Sequence, residues 1–381
     1  MAVTKKSKRG ILLPPAVGYS VQILAGLCRK NNVSPKYYFR LVAIWIINLI
    51  NWPFRTYERL FINPRINRLK IENPPVFIIG HWRSGTTHLH NLLCQDKQMG
   101  FVTTYQSVFP DTLFNWIGRF LFKGFTRLLI PGTRKGDNVA LGTENPQEEE
   151  FALGDKTPVC FYYFWMFPKN ILNYFDRFVR FEGLTAAERD SWKKNYALLV
   201  KKALKNTGRE RFLSKNPPNT ARIKTLLELF PNAKFIHIHR NPVEVFLSTQ
   251  HFYAKMLPHL QLHVISQEEI DNHIFEIYKS LMHDFQEQKQ LIPERNFVEI
   301  AFNDLERDPV SNLKMIYERL DLKGFDEALP YFGHYQKSME SYEKNKHFIS
   351  RELLEKIEQE WGFAMKLFNY QRPENIKITN E

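Results

Sequence analysis

Val76-Phe77-Ile78-Ile79-Gly80-His81-Trp82-Arg83-Ser84-Gly85-Thr86-Thr87-His88-Leu89-His90-Asn91-Leu92-Leu93 reads as a strand, a loop and a helix in order. The first four residues are apolar and rich in β-branched side chains, the pattern of a short buried strand. Leu89, Leu92 and Leu93 then recur at helical spacing. Between them, Gly80 and Gly85 stand at the spacing of a P-loop, G-x-x-x-x-G. The backbone N–H groups of such a loop, with a helix N-terminus behind it, form a cradle for an anion. A Walker A loop continues with Lys and then Ser or Thr. Here Thr86 occupies the lysine's place. That lysine reaches the β- and γ-phosphates, so its loss argues against ATP or GTP. Arg83 inside the loop, with the hydroxyls of Ser84, Thr86 and Thr87, suits a monophosphate-level anion held without magnesium.

A second unit of the same kind lies near the middle of the chain. Thr225 to Phe230 reads as the end of a helix stopped by Pro231, and Lys234-Phe235-Ile236-His237-Ile238-His239 as a strand. Arg240-Asn241-Pro242 turns the chain into another helix. Phe297 to Ile300 is a third strand by pattern, and 191–206, 271–290, 309–320 and 350–368 read as helices. Few strands separated by helices predict an α/β fold with a parallel sheet. Ligands in such folds bind at the carboxyl ends of the strands, where both the 80–87 and the 240–248 loops fall. The second strand ends in His239-Arg240, not in the Asp of a Walker B strand.

The chain has 381 residues, 44% hydrophobic and 24% charged, which is globular composition. A helical N-terminal extension, 1–74, followed by a second domain, 75–381, is expected. Cys28, Cys94 and Cys160 show no paired spacing, which excludes a disulfide scaffold or zinc module and fits a reduced compartment. Lys plus Arg is 53 against 40 acids, a net charge of +13, so an anionic partner is expected. Nucleic acid is not that partner: the longest basic run, Lys5 to Arg9, carries no nucleic-acid-binding module. Ile11 to Leu27 is broken by Pro14, Pro15 and Gly18 and does not read as a signal peptide. The apolar stretch Leu41 to Phe54 is too short to span a membrane. It reads as a core helix, or as an interfacial helix with peripheral membrane contact anchored by Arg40, Trp45, Trp52 and Arg55. A cytoplasmic site is expected, and the oligomeric state is not legible.

Arg83-Ser84-Gly85-Thr86-Thr87 resembles the 5′-phosphosulfate loop of sulfotransferases, which use 3′-phosphoadenosine 5′-phosphosulfate (PAPS). That family's second signature is a strand ending in Arg, then Asn/Asp-Pro, then Ser eight residues after the Arg; Arg240-Asn241-Pro242 with Ser248 matches it. The run Gly-x-x-Arg-Ser-Gly-Thr-Thr-x-Leu-His looks like the bacterial branch, although Pro usually stands where Trp82 does. The resemblance implies a P-loop-like three-layer fold, a central parallel sheet flanked by helices. It also implies transfer of a sulfuryl group from PAPS to a hydroxyl, releasing 3′-phosphoadenosine 5′-phosphate, with no metal. Trp82, Arg83, Ser84, Gly85, Thr86 and Thr87 would then hold the 5′-phosphate and the sulfuryl group, with Arg83 at the bridging oxygen. Arg240 and Ser248 would bind the 3′-phosphate. Lys215, in Ser214-Lys215-Asn216-Pro217-Pro218, would join the site. Lys344 and Lys346 would belong to a late basic loop closing over the nucleotide.

Members of the family remove the acceptor proton with His or Glu. Asn145-Pro146-Gln147-Glu148-Glu149-Glu150 resembles the Pro-x-Glu-Asp/Glu-Glu segment of the bacterial branch, which makes Glu148 the first candidate and Glu150 the next. The same residues also have a purely structural reading: Asn145 and Glu148 stand at capping-box spacing, and Pro146 suits a first helical position. His81 is the alternative base, while His90 reads as packed against the helix interface. Phe109 to Phe125 and Cys160 to Pro168 are unusually aromatic. They read as core, or as the lining of a flat apolar acceptor such as a sterol, bile acid or other lipid alcohol. The competing acceptor is a glycan or glycolipid. The competing classes are a nucleotide kinase and a non-catalytic membrane-surface protein.

Overall fold

A computed structural model describes residues 15–129, 142–339, 348–373 and 376–379. The chain runs α1 (Val21–Lys30), α2 (Tyr38–Tyr57), β1 (Val76–Ile79), α3 (Thr86–Leu93), β2 (Met99–Gly100), α4 (Trp116–Leu129), α5 (Glu149–Lys156) and α6 (Ala186–Thr207). It continues with β3 (Arg211–Lys215), α7 (Ile223–Leu229), β4 (Lys234–His239), α8 (Pro242–Leu260), α9 (Gln267–Gln288), β5 (Phe297–Ala301), α10 (Pro309–Arg319) and α11 (Arg351–Leu367). Helical turns and short helices join them, and a 15-residue helix, Phe325–Met339, lies between α10 and α11. The expected helices at 191–206, 271–290, 309–320 and 350–368 are α6, α9, α10 and α11, with shifted ends. The chain forms two compact units, one of residues 1–70, 102–207 and 252–266, the other of 71–101, 208–251 and 267–381.

The second unit is built on a five-stranded sheet of order β2-β3-β1-β4-β5. Every pairing is parallel, with Val76 opposite both Leu213 and Lys234. β1 is central and fully buried, which is why it reads as a continuous apolar run. On one face Val76, Ile78, Ile236, Ile238 and Ile300 pack with Leu89, Leu92 and Leu93 of α3 and with Leu313 and Ile316 of α10. On the other, Phe77 stacks on Phe235 at 5.4 Å, and His237 stacks on Phe285 of α9 at 3.9 Å. The result is three layers, with helices on both faces of a parallel sheet. Each such side chain contributes about 1.5–3 kcal/mol by leaving water. β2 and β3 carry no strong sequence signal: β2 has two residues, and β3 is Arg-Phe-Leu-Ser-Lys, whose polar end is nevertheless buried.

In the first unit α2 reverses the usual helix pattern. Its buried residues are Ile44, Asn48, Asn51 and Arg55, while Phe39, Ile46, Leu49, Ile50 and Trp52 are exposed. The core-helix reading of 41–54 therefore fails for most of its apolar side chains. Arg55 is no interfacial anchor either; it is buried and donates to the Gly18 carbonyl and to Asp155. Beside it lies a buried ionic cluster. Asp111 accepts from Lys156 at 2.7 Å, Lys202 at 2.8 Å and Arg59 at 2.6 Å. Burial works to raise the Asp111 pKa, but Lys156, Lys202 and Arg59 outweigh it and hold the carboxylate well below its usual range. Glu58 meets Lys202 at 2.7 Å and accepts from the Phe114 and Asn115 backbone N–H groups.

Candidate active site

β1 ends at Ile79, and the chain turns at once. Gly80 has φ +136°, and a Cβ there would lie 2.2 Å from the Ile238 carbonyl oxygen of β4. Its N–H donates to Thr220 Oγ1 at 2.8 Å. Gly85 has φ +92°, and a Cβ there would lie 2.2 Å from the Phe302 ring. Both glycines are thus required by backbone conformation and by space. Gly85 is the N-cap of α3, and no side chain caps that helix, so its terminal amides face the loop uncapped by a side chain. His81, Trp82, Ser84 and Thr86 are buried; Arg83, Gly85 and Thr87 are half-buried.

Arg83 itself adopts a left-handed backbone, φ 69°, and its Nε donates to Ser248 Oγ at 3.0 Å. The two sequence signatures therefore meet side chain to side chain. α8 begins at Pro242, so the expected 240–248 loop ends at Asn241 and Ser248 rides on the helix. The reason is local: Pro242 supplies a fixed φ for the first helical turn, and Asn241 Oδ1 accepts from the Val243 N–H. Arg240 donates from Nε to Glu244 at 3.1 Å, and its guanidinium lies 4.8 Å from the centre of the Phe302 ring. Phe302 follows β5 directly. The one Phe302 ring thus lies against both Gly85 and Arg240, a role that nothing in the sequence signalled.

Lys215 ends β3 with 2% of its surface exposed. It lies close enough to His90 that burial, with this cation second, pushes that imidazole well below its ordinary pKa. His90 is fully packed on α3, as its spacing implied. His81 donates Nδ1–H to the Trp82 carbonyl at 2.7 Å and packs edge-on against Tyr278. Burial pushes its pKa down to about 4. His239, at the end of β4, stacks on Phe368 at 4.2 Å and bonds the Tyr370 hydroxyl at 2.9 Å. Asn241 donates to the Gln371 carbonyl at 2.7 Å. The segment after α11 is therefore fastened to the end of β4, a contact that sequence pattern did not indicate. Lys344 and Lys346 lie outside the described residues.

In the first unit the acidic run starts α5. Glu148 is the N-cap, not Asn145. The capping-box reading fails because 145–147 is held extended: Asn145 O accepts from the Thr104 N–H, and Gln147 N–H donates to Val102 O. Glu148, with 7% exposure, accepts from the Tyr162 hydroxyl. Glu149 accepts from the Tyr196 hydroxyl at 2.7 Å. Glu150 accepts from the Phe161 N–H at 2.8 Å. Phe161 to Phe167 are buried at every position, because the turn Phe161–Trp165 is enclosed on several sides by Phe151, Tyr174, Phe175, Phe252 and Tyr253.

A parallel sheet with a glycine loop at its central strand, an inserted arginine and a second arginine at the neighbouring strand end defines a P-loop-like anion-binding enzyme fold. The model of the sulfotransferase family matches residues 74–327, more than half of the chain, and the chain belongs to that family. The omega-hydroxy-beta-dihydromenaquinone-9 sulfotransferase Stf3 of Mycobacterium tuberculosis (strain CDC 1551 / Oshkosh) is 29% identical over 344 residues, 88% of this chain and 86% of Stf3. Its Mycobacterium bovis counterpart gives the same figures. Among solved structures, sulfotransferase STF1 from Mycobacterium tuberculosis H37Rv shares the fold at TM-score 0.62 and 15% identity over 90% of both chains. STF9 from Mycobacterium avium does so at 0.61 and 16%, over 93% of this chain and 97% of its own.

Proposed function

We propose that this sulfotransferase takes its sulfuryl group from PAPS and delivers it to a hydroxyl of a hydrophobic, lipid-like alcohol, releasing 3′-phosphoadenosine 5′-phosphate. The observation that carries the reading is the 3.0 Å hydrogen bond from Arg83 to Ser248, which joins the loop signature to the second signature. The residues fit the co-substrate: no side chain caps the helix N-terminus behind the loop, and Arg83, Lys215 and Arg240 supply positive charge. Bound PAPS brings an activated sulfuryl group whose bridging oxygen gains negative charge as the S–O bond breaks. The Arg83 guanidinium stabilises that charge, the kind of fixed electrostatic help that dominates many transfer reactions. Arg240, set by Glu244 and Phe302, and the Ser248 hydroxyl recognise the 3′-phosphate.

Glu148 takes the acceptor's proton in this reading. Glu150 is less suited because it is fully buried and holds the Phe161 N–H, whereas Glu148 keeps 7% of its surface exposed. His81 is the second candidate; its Nδ1–H is donated to a carbonyl, which makes Nε2 the basic atom. The name of the relative Stf3 supports a lipid-like acceptor, and sterols and bile acids belong to the same chemical class. The family match over residues 74–327 supports a catalytic part that begins near 75 and runs at least to 327. A cytoplasmic reaction is supported by Cys28, Cys94 and Cys160 being free thiols.

The test is incubation of purified protein with PAPS labelled in sulfur and a panel of prenylated and steroidal alcohols, bile acids, phenols, sugars and glycolipids. Label should pass to a lipid alcohol and fail to pass with Arg83→Ala. Label on sugars alone would overturn the acceptor class. Failure to bind PAPS at all would overturn the co-substrate.

A further inference from the structure

The outward face of the first unit calls for a covering that the fold itself does not supply. Phe39 is 92% exposed, Trp116 78%, Phe120 77% and Leu128 81%. α2 and α4 pack on each other through Phe54, Gly118 and Phe122, and both turn large apolar residues outward. Exposure on this scale marks a docking surface. The inner face of α2 is polar and fastened by Asn48, which donates to the Ala16 carbonyl, and by Arg55 on Asp155. The helix therefore cannot satisfy its apolar side by rolling over.

Charge selects the occupant. From Lys36 to Lys70 the only acid is Glu58, which is buried. Lys36, Arg65, Arg68 and, at the end of α4, Arg127 are exposed. α4 contains no acid, and Lys123 within it pairs with Glu144. A second copy of the same face would bring cation onto cation. A bilayer bearing anionic headgroups would meet the apolar residues with acyl chains and the cations with phosphates. Among the described residues no helix is long and apolar enough to cross a membrane, so the fitting geometry is a helix lying in the interface, with Trp52 and Trp116 at headgroup depth.

We infer that α2 and α4 dock the enzyme onto the surface of an anionic phospholipid bilayer. The inference does not depend on the identity of the sulfuryl donor. Asp155, the partner of Arg55, lies on α5, whose N-cap is Glu148 and whose first turn carries Glu149 and Glu150. The docking helix thus grips the helix that bears the proposed base, and a lipid alcohol held in the same bilayer is a natural acceptor for such an enzyme.

The test is flotation of the full chain, without PAPS or acceptor, with vesicles of phosphatidylglycerol and phosphatidylcholine or of phosphatidylcholine alone. Binding should be at least about tenfold tighter to the anionic vesicles. The variant F39S/I46S/W116S/F120S should float at background level while melting within a few degrees of the parent. Should that variant not fold, brominated acyl chains give a second readout: they should quench the parent's tryptophan fluorescence, and less so in Trp116→Phe. Vesicle binding unchanged by the four substitutions, or no binding by the parent, would overturn the inference. So would a dimer in solution that the same substitutions dissociate.

Discussion

Arg83 holds a backbone conformation that costs a residue with a Cβ about 1–2 kcal/mol. Strain of this kind persists where the surroundings enforce it, and here the Ser248 bond, Gly80 and Gly85 do so. Arg83→Ala should lower kcat by about 10²–10³-fold with PAPS affinity reduced less. Arg83→Gly should lose the same activity yet unfold at a higher temperature than Arg83→Ala, because only glycine relieves the strain. Equal melting temperatures for the two variants would remove the strain argument. Glu148→Gln should cut kcat by about 10²–10⁴-fold and leave PAPS binding intact by calorimetry. If His81→Gln is the slower variant instead, the base is the imidazole. The residues of the loop were legible because their chemistry is written locally, in glycine spacing and in an arginine among hydroxyls. Phe302 was not, because its function comes from two neighbours distant in sequence.

At the scale of elements, the loop and β5 are fitted to each other through one ring. Gly85→Ala forces a Cβ into Phe302 and should destabilise the fold by about 1–3 kcal/mol. Gly85→Ala with Phe302→Leu should recover only part of it, since the positive φ remains; thermal unfolding reads both. α2 offers the opposite contrast. Exposed substitutions such as Ile46→Ser should move stability by no more than about 0.5 kcal/mol. Arg55→Met leaves Asp155 buried without its cation and should cost about 3–5 kcal/mol. The same helix shows what periodicity can and cannot tell. Its apolar residues were visible, but which face is buried is set by partners such as Ala16, Gly18 and Asp155, none of them adjacent in sequence. β1 and β4 were legible because central parallel strands must be apolar on both faces. β3 was hidden because its buried end is Ser214-Lys215. The start of α5 was misplaced because Val102 and Thr104 draw 145–147 into an extended pairing.

At the scale of the whole molecule, the sheet-bearing unit contains several histidines kept neutral. His81 and His239 are pushed down to about 4, the first by burial and the second by burial and then His237; His90 is pushed well below its ordinary value. In the unfolded chain each titrates near 6.5. The native state then binds fewer protons than the unfolded state between these values, so stability is full above about pH 6.5 and is lost as pH falls toward 4. His81 alone corresponds to about 3 kcal/mol. Asp155, pushed up to about 6 by burial against the pull of Arg55 and Arg59, works in the other direction, but it is one group against several. The melting temperature should fall from pH 7 to pH 5, and His239→Phe should flatten the slope. A flat profile in the parent would contradict the buried-neutral assignment. The general architecture was legible because strand, helix and turn signals alternate along the chain, whereas the division into two units was not, since each is assembled from separated segments.

The order of the strands has a further consequence, for synthesis. β1 is made early, but its two neighbours, β3 and β4, are encoded far downstream. At ribosomal speeds of about 5–20 residues per second, Val76 to Ile79 waits roughly seven to twenty-five seconds for a partner. During that interval four consecutive apolar residues have no sheet to enter, which makes the nascent chain a client for chaperones.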